Sequence, residues 1–222
     1  MTHCRYELAL FDLDGTLLDT SSGIREALLH TLKGYGQKIP KASDLAAYIG
    51  PPIEVALREL LGIEGQALSD AAAQFRHRYR TCDLLKAEPY DGIFELLEQL
   101  RHHKVKTAVA TYKREDYAKE LLCHFGFDRH IPITHGSDNS GQLRKSDIIR
   151  RCVKEAGVQN PKKAVMIGDT LEDAHGAADA GVDFIAVTYG FGFHDPRDAQ
   201  SSQAIGVAST PLDLLPYILK GE

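Results

Sequence analysis

The chain has 222 residues, 43% of them hydrophobic, and a formal net charge of −5. Roughly 70% of the unfolded surface of such a chain is buried on folding, enough for one large domain or a domain carrying an insertion. The acidic balance, the lack of a long Lys/Arg run and the lack of about 18 consecutive apolar residues argue against a nucleic-acid or membrane partner, and Cys4, Cys82, Cys123 and Cys152 are too scattered for a disulfide framework. The expectation is a cytoplasmic protein with reduced thiols and a small-molecule partner, either a monomer or a weak homodimer.

The first predicted strand, 6–11, runs straight into Asp12-Leu13-Asp14-Gly15-Thr16. Beyond it, Ile24, Ala27, Leu28, Thr31, Leu32 and Tyr35 recur at helical spacing, with Ser21 or Ser22 as the expected N-cap. The same period returns at Ile53, Ala56, Leu57, Leu60 and Leu61 after Gly50-Pro51-Pro52, and again at Leu68, Ala72, Phe75 and Tyr79. Residues 19–84 therefore read as helical throughout.

From Glu88 the pattern alternates. A helix near 91–101, a strand at 105–110, a helix near 115–125 ended by Gly126 and a short strand near 131–134 come first. A helix near 146–156, a strand at 164–167, a helix near 172–180 ended by Gly181 and a strand at 184–187 follow. Such alternation implies a parallel sheet covered on both faces. The expected organisation is an α/β core, 1–18 and 85–222, of the Rossmann-like doubly wound kind, interrupted by an inserted all-helical cap domain at 19–84.

Ligands of open parallel sheets bind beyond the carboxyl ends of the strands. Three predicted strands end there in groups suited to phosphate chemistry: Asp12-Leu13-Asp14, Thr111-Tyr112-Lys113 and Gly168-Asp169-Thr170, the last followed by Asp173. Extended backbone would turn Asp12 and Asp14 to one side. Such paired anions, joined by Asp169, are tolerable beside a hard cation such as Mg²⁺ with oxygen ligands. A carboxylate shielded in this way can attack phosphorus, a second can serve as acid and base, and fixed donors such as Thr111 and Lys145 can hold the equatorial oxygens. Lys145 stands next to a predicted helix start, where a cation is disfavoured by up to about 1 kcal/mol unless an anion is near.

Other readings weaken on inspection. An EF-hand loop starting at Asp12 would need Gly at its sixth position and Glu at its twelfth, where Leu17 and Gly23 stand. Asp169 with Glu172 also fits a helix N-cap with an acidic partner three residues on. Arg76-His77-Arg78-Tyr79-Arg80 fits either a solvated helix face or a contact to an anionic substrate.

Taken together, FDLDGTLLDT, AVATYK, the lysine of LRKSDII and MIGDTLEDAHGA resemble the four motifs of the haloacid dehalogenase superfamily, in its helical-cap phosphatase branch. The finer likeness, through YIGPP, ATYK, IGDTLEDAHGA and VTYGFG, is to phosphoglycolate-phosphatase-like and 5′-nucleotidase-like members. Tyr112, where these relatives usually have a small residue, and Arg114, where they often have proline, depart from that pattern.

The resemblance implies Asp12 as nucleophile and Asp14 as acid/base and, through its carbonyl oxygen, a metal ligand. It implies Asp169 as a further ligand, Asp173 as support for the metal shell, and Thr111 and Lys145 as phosphoryl binders. Gly15, Thr16, Tyr112, Lys113, Gly50 and Pro51 are the expected substrate contacts. The implied activity is Mg²⁺-dependent hydrolysis of a small phosphorylated metabolite, phosphoglycolate-like or a nucleoside 5′-monophosphate, beneath a cap that opens and closes. The alternatives are a phosphomutase of the β-phosphoglucomutase type, which would return the phosphoryl group to a sugar, and a catalytically silent phosphometabolite-binding regulatory module. The silent module would be expected to lack one of Asp12, Asp14, Lys145 or Asp169, and all four are present.

Overall fold

A computed structural model of the chain describes residues 4–37, 45, 48–49, 53–138 and 143–219. In chain order its elements are β1 (Leu8–Phe11), β2 (Leu18–Asp19), α1 (Ser21–Gly34), α2 (Ile53–Leu61), α3 (Gly65–Arg78), a π-helical turn (Tyr79–Asp83), β3 (Glu88–Pro89) and α4 (Ile93–His102). They continue with β4 (Lys106–Arg114), α5 (Glu115–His124), β5 (Ile133–Ser137), α6 (Lys145–Glu155), β6 (Ala164–Gly168), α7 (Leu171–Ala180), β7 (Asp183–Val187), β8 (Gly206–Ala208) and α8 (Leu215–Leu219). The chain divides into two compact units, one made of the stretch up to Leu18 together with that from Pro89 onward, the other of Asp19–Glu88.

The first unit holds a six-stranded sheet in the order β5-β4-β1-β6-β7-β8, with every pairing parallel. The α/β class expected from the alternation is the one observed. All four residues of β1, Leu-Ala-Leu-Phe, are buried, as a strand covered on both faces requires. Leu8 and Leu10 pack with Ile148, Ile149 and Cys152 of α6 and with Ala174 and Ala177 of α7 in one hydrophobic cluster. β1 lies between β4 and β6, so its carboxyl end opens among the ends of both neighbours.

Helix ends follow the chemistry of their residues. α7 stops at Gly181 (φ +76°), a left-handed position that suits glycine, and α5 is followed by Gly126 (φ +78°). Two expected caps are shifted by one residue: α1 is preceded by Thr20, not capped by Ser21 or Ser22, and α7 is capped by Thr170 with Asp173, not by Asp169 with Glu172. β8 and α8, after the last predicted strand, had no counterpart in the sequence reading.

In the second unit α1 buries Ala27, Leu28, Thr31 and Leu32 and packs on α3, which buries Leu68, Ala71, Ala72 and Phe75. Gly23 allows a close approach, since a Cβ there would lie 2.2 Å from the Asp83 carbonyl oxygen. The buried Asp83 carboxylate pairs with Arg78 Nε at 2.7 Å and Lys86 Nζ at 2.8 Å. Arg76 pairs with Glu54. Two cations of the basic stretch thus have carboxylate partners inside their own unit, which favours the structural reading of that stretch over the anionic-substrate one. Among the described residues no helix is long and apolar enough to cross a membrane.

Candidate active site

Phe11 of β1 lies in register with Ile167 of β6, and the first residue past β1, Asp12, donates its N–H to the Ile167 carbonyl at 2.9 Å. Adjacent parallel strands therefore deliver Asp12 and Asp169 to neighbouring strand ends. Lys145, the first residue of α6, brings its Nζ within 2.6 Å of Asp12 Oδ1 and within 2.6 Å of Asp173 Oδ1. Asp173 sits in the first turn of α7, where its Oδ2 accepts from the Thr170 N–H at 3.1 Å and the Thr170 hydroxyl at 2.7 Å. A reciprocal cap, in which Thr170 Oγ1 accepts the Asp173 N–H, thus fixes this carboxylate by helix formation itself.

Asp169 is fully buried and held from the loop after β7. Its Oδ2 accepts from the N–H groups of Phe191 at 2.7 Å and Gly192 at 3.2 Å, and its Oδ1 accepts the Thr16 hydroxyl at 3.2 Å. The backbone crowds this carboxylate closely. Gly15 has φ +83°, and a Cβ there would lie 2.4 Å from Asp169 Oδ2; one at Gly190 would lie 2.2 Å from the Gly15 carbonyl oxygen.

The carboxylate oxygens of Asp12, Asp169 and Asp173 come within 4.8 Å of one another, all three residues buried. Against three carboxylates stands one equally buried ammonium, that of Lys145. Burial pushes Asp12 up to about 6, opposed by Lys145 and reinforced by Asp173 and Asp14. Burial likewise pushes Asp169 up to about 7, reinforced by Asp173 and Asp12. Burial alone would lower the Lys145 ammonium, but the charges of Asp12 and Asp173 outweigh it and hold the proton more firmly than usual. A cluster of hard oxygen donors with an excess of negative charge fits a divalent cation.

Asp14 is placed differently from the sequence expectation. The chain leaves extended geometry at Phe11, and both Asp14 carboxylate oxygens accept from Lys113 Nζ, at 2.8 and 3.0 Å, instead of joining the cluster. Asp14 remains near enough for its charge to act on Asp12.

Thr111, Tyr112 and Lys113 occupy the end of β4, where the register with β5 slips between Ala110 and Arg114. The buried Thr111 hydroxyl accepts the Lys113 N–H at 3.1 Å. Tyr112 is 46% exposed and reaches the start of α6. Thr16 is fully buried and serves Asp169. Gly50 and Pro51 lie outside the described residues, as does Pro52.

The N–H donors of Phe191 and Gly192, the close packing of Gly190, and the Lys113–Asp14 pair were absent from the sequence reading. The Gly190-Phe191-Gly192 run was the available signal. Gly176 on α7 belongs with them, because a Cβ there would lie 2.6 Å from Lys145 Cγ.

The chain is similar to several known proteins. The pattern of the haloacid dehalogenase-like hydrolase family matches residues 9–187. A 5′-nucleotidase of Pseudomonas aeruginosa is 36% identical over 192 residues, 86% of this chain and 86% of that protein. The protein named tyrosine-protein kinase PtkA of Mycobacterium tuberculosis is 35% identical over 206 residues, 92% of this chain and 69% of its own length. Among solved structures, a haloacid dehalogenase-like family hydrolase from Streptococcus pneumoniae superposes with a TM-score of 0.87 at 29% identity, covering 96% of this chain and 98% of that one.

Proposed function

The chain belongs to the haloacid dehalogenase-like hydrolase family and is a phosphatase of that family, and from this premise we propose that it hydrolyses a small phosphomonoester with Mg²⁺ as cofactor and Asp12 as nucleophile. The observation that carries the proposal is the cluster beyond the carboxyl ends of β1 and β6: three buried carboxylates with oxygens within 4.8 Å of one another, two of them paired with the Lys145 ammonium. A nucleoside 5′-monophosphate is the first substrate class to examine, because one relative bears the name 5′-nucleotidase. Phosphoglycolate is the second, from the motif likeness.

In this reading Asp12 and Asp169, with the Asp14 carbonyl, would hold the cation, and Asp173, paired with Lys145 and Thr170, would support that shell. The cation supplies positive charge that lets an anionic carboxylate approach an anionic phosphoryl group. Asp12 attacks phosphorus while the bond to the leaving oxygen breaks, giving an aspartyl-phosphate and an alcohol that takes its proton from Asp14. In the second half Asp14 removes a proton from water, the water oxygen bonds to phosphorus, and the P–O bond to Asp12 breaks. Phosphate leaves, Asp12 is again a carboxylate, and Asp14, which entered the first half as the neutral acid, has regained its proton from the water. Lys145 neutralises charge on the nucleophile and the transferring group, and Lys113 holds Asp14 beside the leaving oxygen.

The test is phosphate release from p-nitrophenyl phosphate, nucleoside monophosphates and phosphoglycolate, with and without Mg²⁺. Asp12→Asn is expected to lose roughly three or more decades of turnover, as loss of a covalent nucleophile does. Undiminished turnover in that variant would overturn the assignment. Adding a tyrosyl peptide with ATP to the panel separates transfer to tyrosine from transfer to water, which the likeness to a protein named a tyrosine kinase makes worth measuring.

A further inference from the structure

Tyr112 makes two separate contacts to one residue, Lys145, which lies 33 positions further along the chain. Its hydroxyl accepts the Lys145 backbone N–H at 2.9 Å, and its ring centroid lies 5.5 Å from the Lys145 ammonium nitrogen. The first N–H groups of a helix have no partner inside the helix, and Lys145 is the first residue of α6. Tyr112 therefore satisfies an otherwise orphaned donor. Over the ring face a cation gains electrostatic attraction, more so where water is excluded. The two residues differ sharply in exposure: Lys145 is 3% exposed and Tyr112 is 46% exposed, so the tyrosine is at the surface while the lysine beneath it is dry.

We infer that Tyr112 is a positioning residue for Lys145, fixing the start of α6 through its hydroxyl and the ammonium through its ring, so that Nζ stays aligned on Asp12. The inference rests on the proposed role of Lys145 at the phosphoryl group and revises the expectation that Tyr112 is a substrate contact. The geometry around Lys145 explains why a large residue is useful here. Lys145 stands at the end of α6 where the helix dipole opposes a cation, and its stem is closely packed on Gly176. Asp12 and Asp173 pull the ammonium from one side, and Tyr112 holds both ends of the residue, backbone and side chain, in place. An aromatic side chain suits this task, having few rotatable bonds, an apolar body and a polar tip.

Two variants test the inference. Tyr112→Phe removes only the hydroxyl, and Tyr112→Ala removes the ring as well. Hydrogen exchange at the Lys145 amide, followed by NMR in the Mg²⁺-loaded protein, is expected to accelerate about fivefold or more in Tyr112→Phe, while amides in the middle of α6 keep their wild-type rates. With p-nitrophenyl phosphate as substrate, kcat is expected to fall about fivefold in Tyr112→Phe and further in Tyr112→Ala, with KM within about twofold of wild type and Tm nearly unchanged for the phenylalanine variant.

Unchanged exchange at Lys145 would overturn the inference whatever the activity, as would a rise in KM at unaltered kcat, the mark of a substrate contact. Faster exchange in a protein whose wild-type form releases no phosphate from any ester would uphold the contact and defeat the proposed function instead, so the two failures are distinguishable.

Discussion

Asp12 and Asp169 each combine an acidic side chain with near-complete burial, and burial is the largest influence on both. Their carboxyls stand at about 6 and about 7 in the fold against 3.8 ordinarily, so the folded chain binds these protons more tightly than the unfolded chain does. Linkage fixes the sign. The stability these two groups contribute to the metal-free protein is fully present below about pH 4 and is lost as pH rises through 6 and 7. A divalent cation must displace the same protons, so its binding strengthens over that window. The expected result is that saturating Mg²⁺ raises Tm little at pH 5 and substantially at pH 8, read by calorimetry; equal shifts at both pH values would contradict the cluster as the binding site. The carboxylates were legible because each stands in a short polar run at the end of an apolar strand. Phe191 and Gly192 were not, because they act through backbone N–H groups that no side-chain pattern records. The pairing of Lys113 with Asp14, 99 residues apart, needed the fold to be seen.

Among the elements, strands and helices of the alternating region were readable from period and from glycine stops, whereas caps were misplaced by a residue. The reason at α7 is physical: Asp169 is held by Phe191, Gly192 and Thr16, which leaves Thr170 to cap the helix. β8 has three residues and sits at the sheet edge, too short for a periodic signal. The loop after β7 shows how much an irregular segment can contribute. Gly190 packs with no room for a side chain, since an added Cβ would lie 2.2 Å from the Gly15 carbonyl oxygen and 2.5 Å from Asp169 Cβ. Both neighbours are constrained, the first by backbone and the second by three hydrogen bonds. Gly190→Ala is therefore expected to displace Asp169, with a loss of about 1–3 kcal/mol in stability and weaker Mg²⁺ affinity by titration calorimetry. Gly36→Ala, at a left-handed glycine (φ +68°) where among the described residues nothing lies within 4 Å of an added Cβ, is the comparison for a glycine replacement that crowds no carboxylate. If both variants bound Mg²⁺ like wild type, the close approach at Gly190 would have no bearing on the site.

At the scale of the whole molecule, the parallel sheet sets the conflict that the site must resolve. Its central strand, β1, is buried along its full length and ends directly in Asp12, so the candidate nucleophile inherits the dryness of the core. The change of period near Glu88 is visible in the sequence, but the closeness of Asp173 to Asp12 is not, because it depends on how α6 and α7 pack together. Burying three carboxylates beside one ammonium opposes folding whenever the cation is absent. The wild-type fold is thus less stable than its core would allow, and removing one charge should relieve it. Asp12→Asn keeps an oxygen to accept from Lys145 and eliminates the anion. In metal-free protein at pH 8 the variant is expected to be the more stable by on the order of 1 kcal/mol, about 2–4 °C in Tm for a chain of this length. At pH 4, where wild-type Asp12 is protonated in the fold, the difference should vanish, and with saturating Mg²⁺ at pH 8 it should reverse, because the wild type alone retains the full ligand set. A variant that is inactive yet no more stable than wild type in metal-free buffer at pH 8 would show that Lys145 already balances the cluster, and that the site stores no electrostatic cost for the cation to relieve.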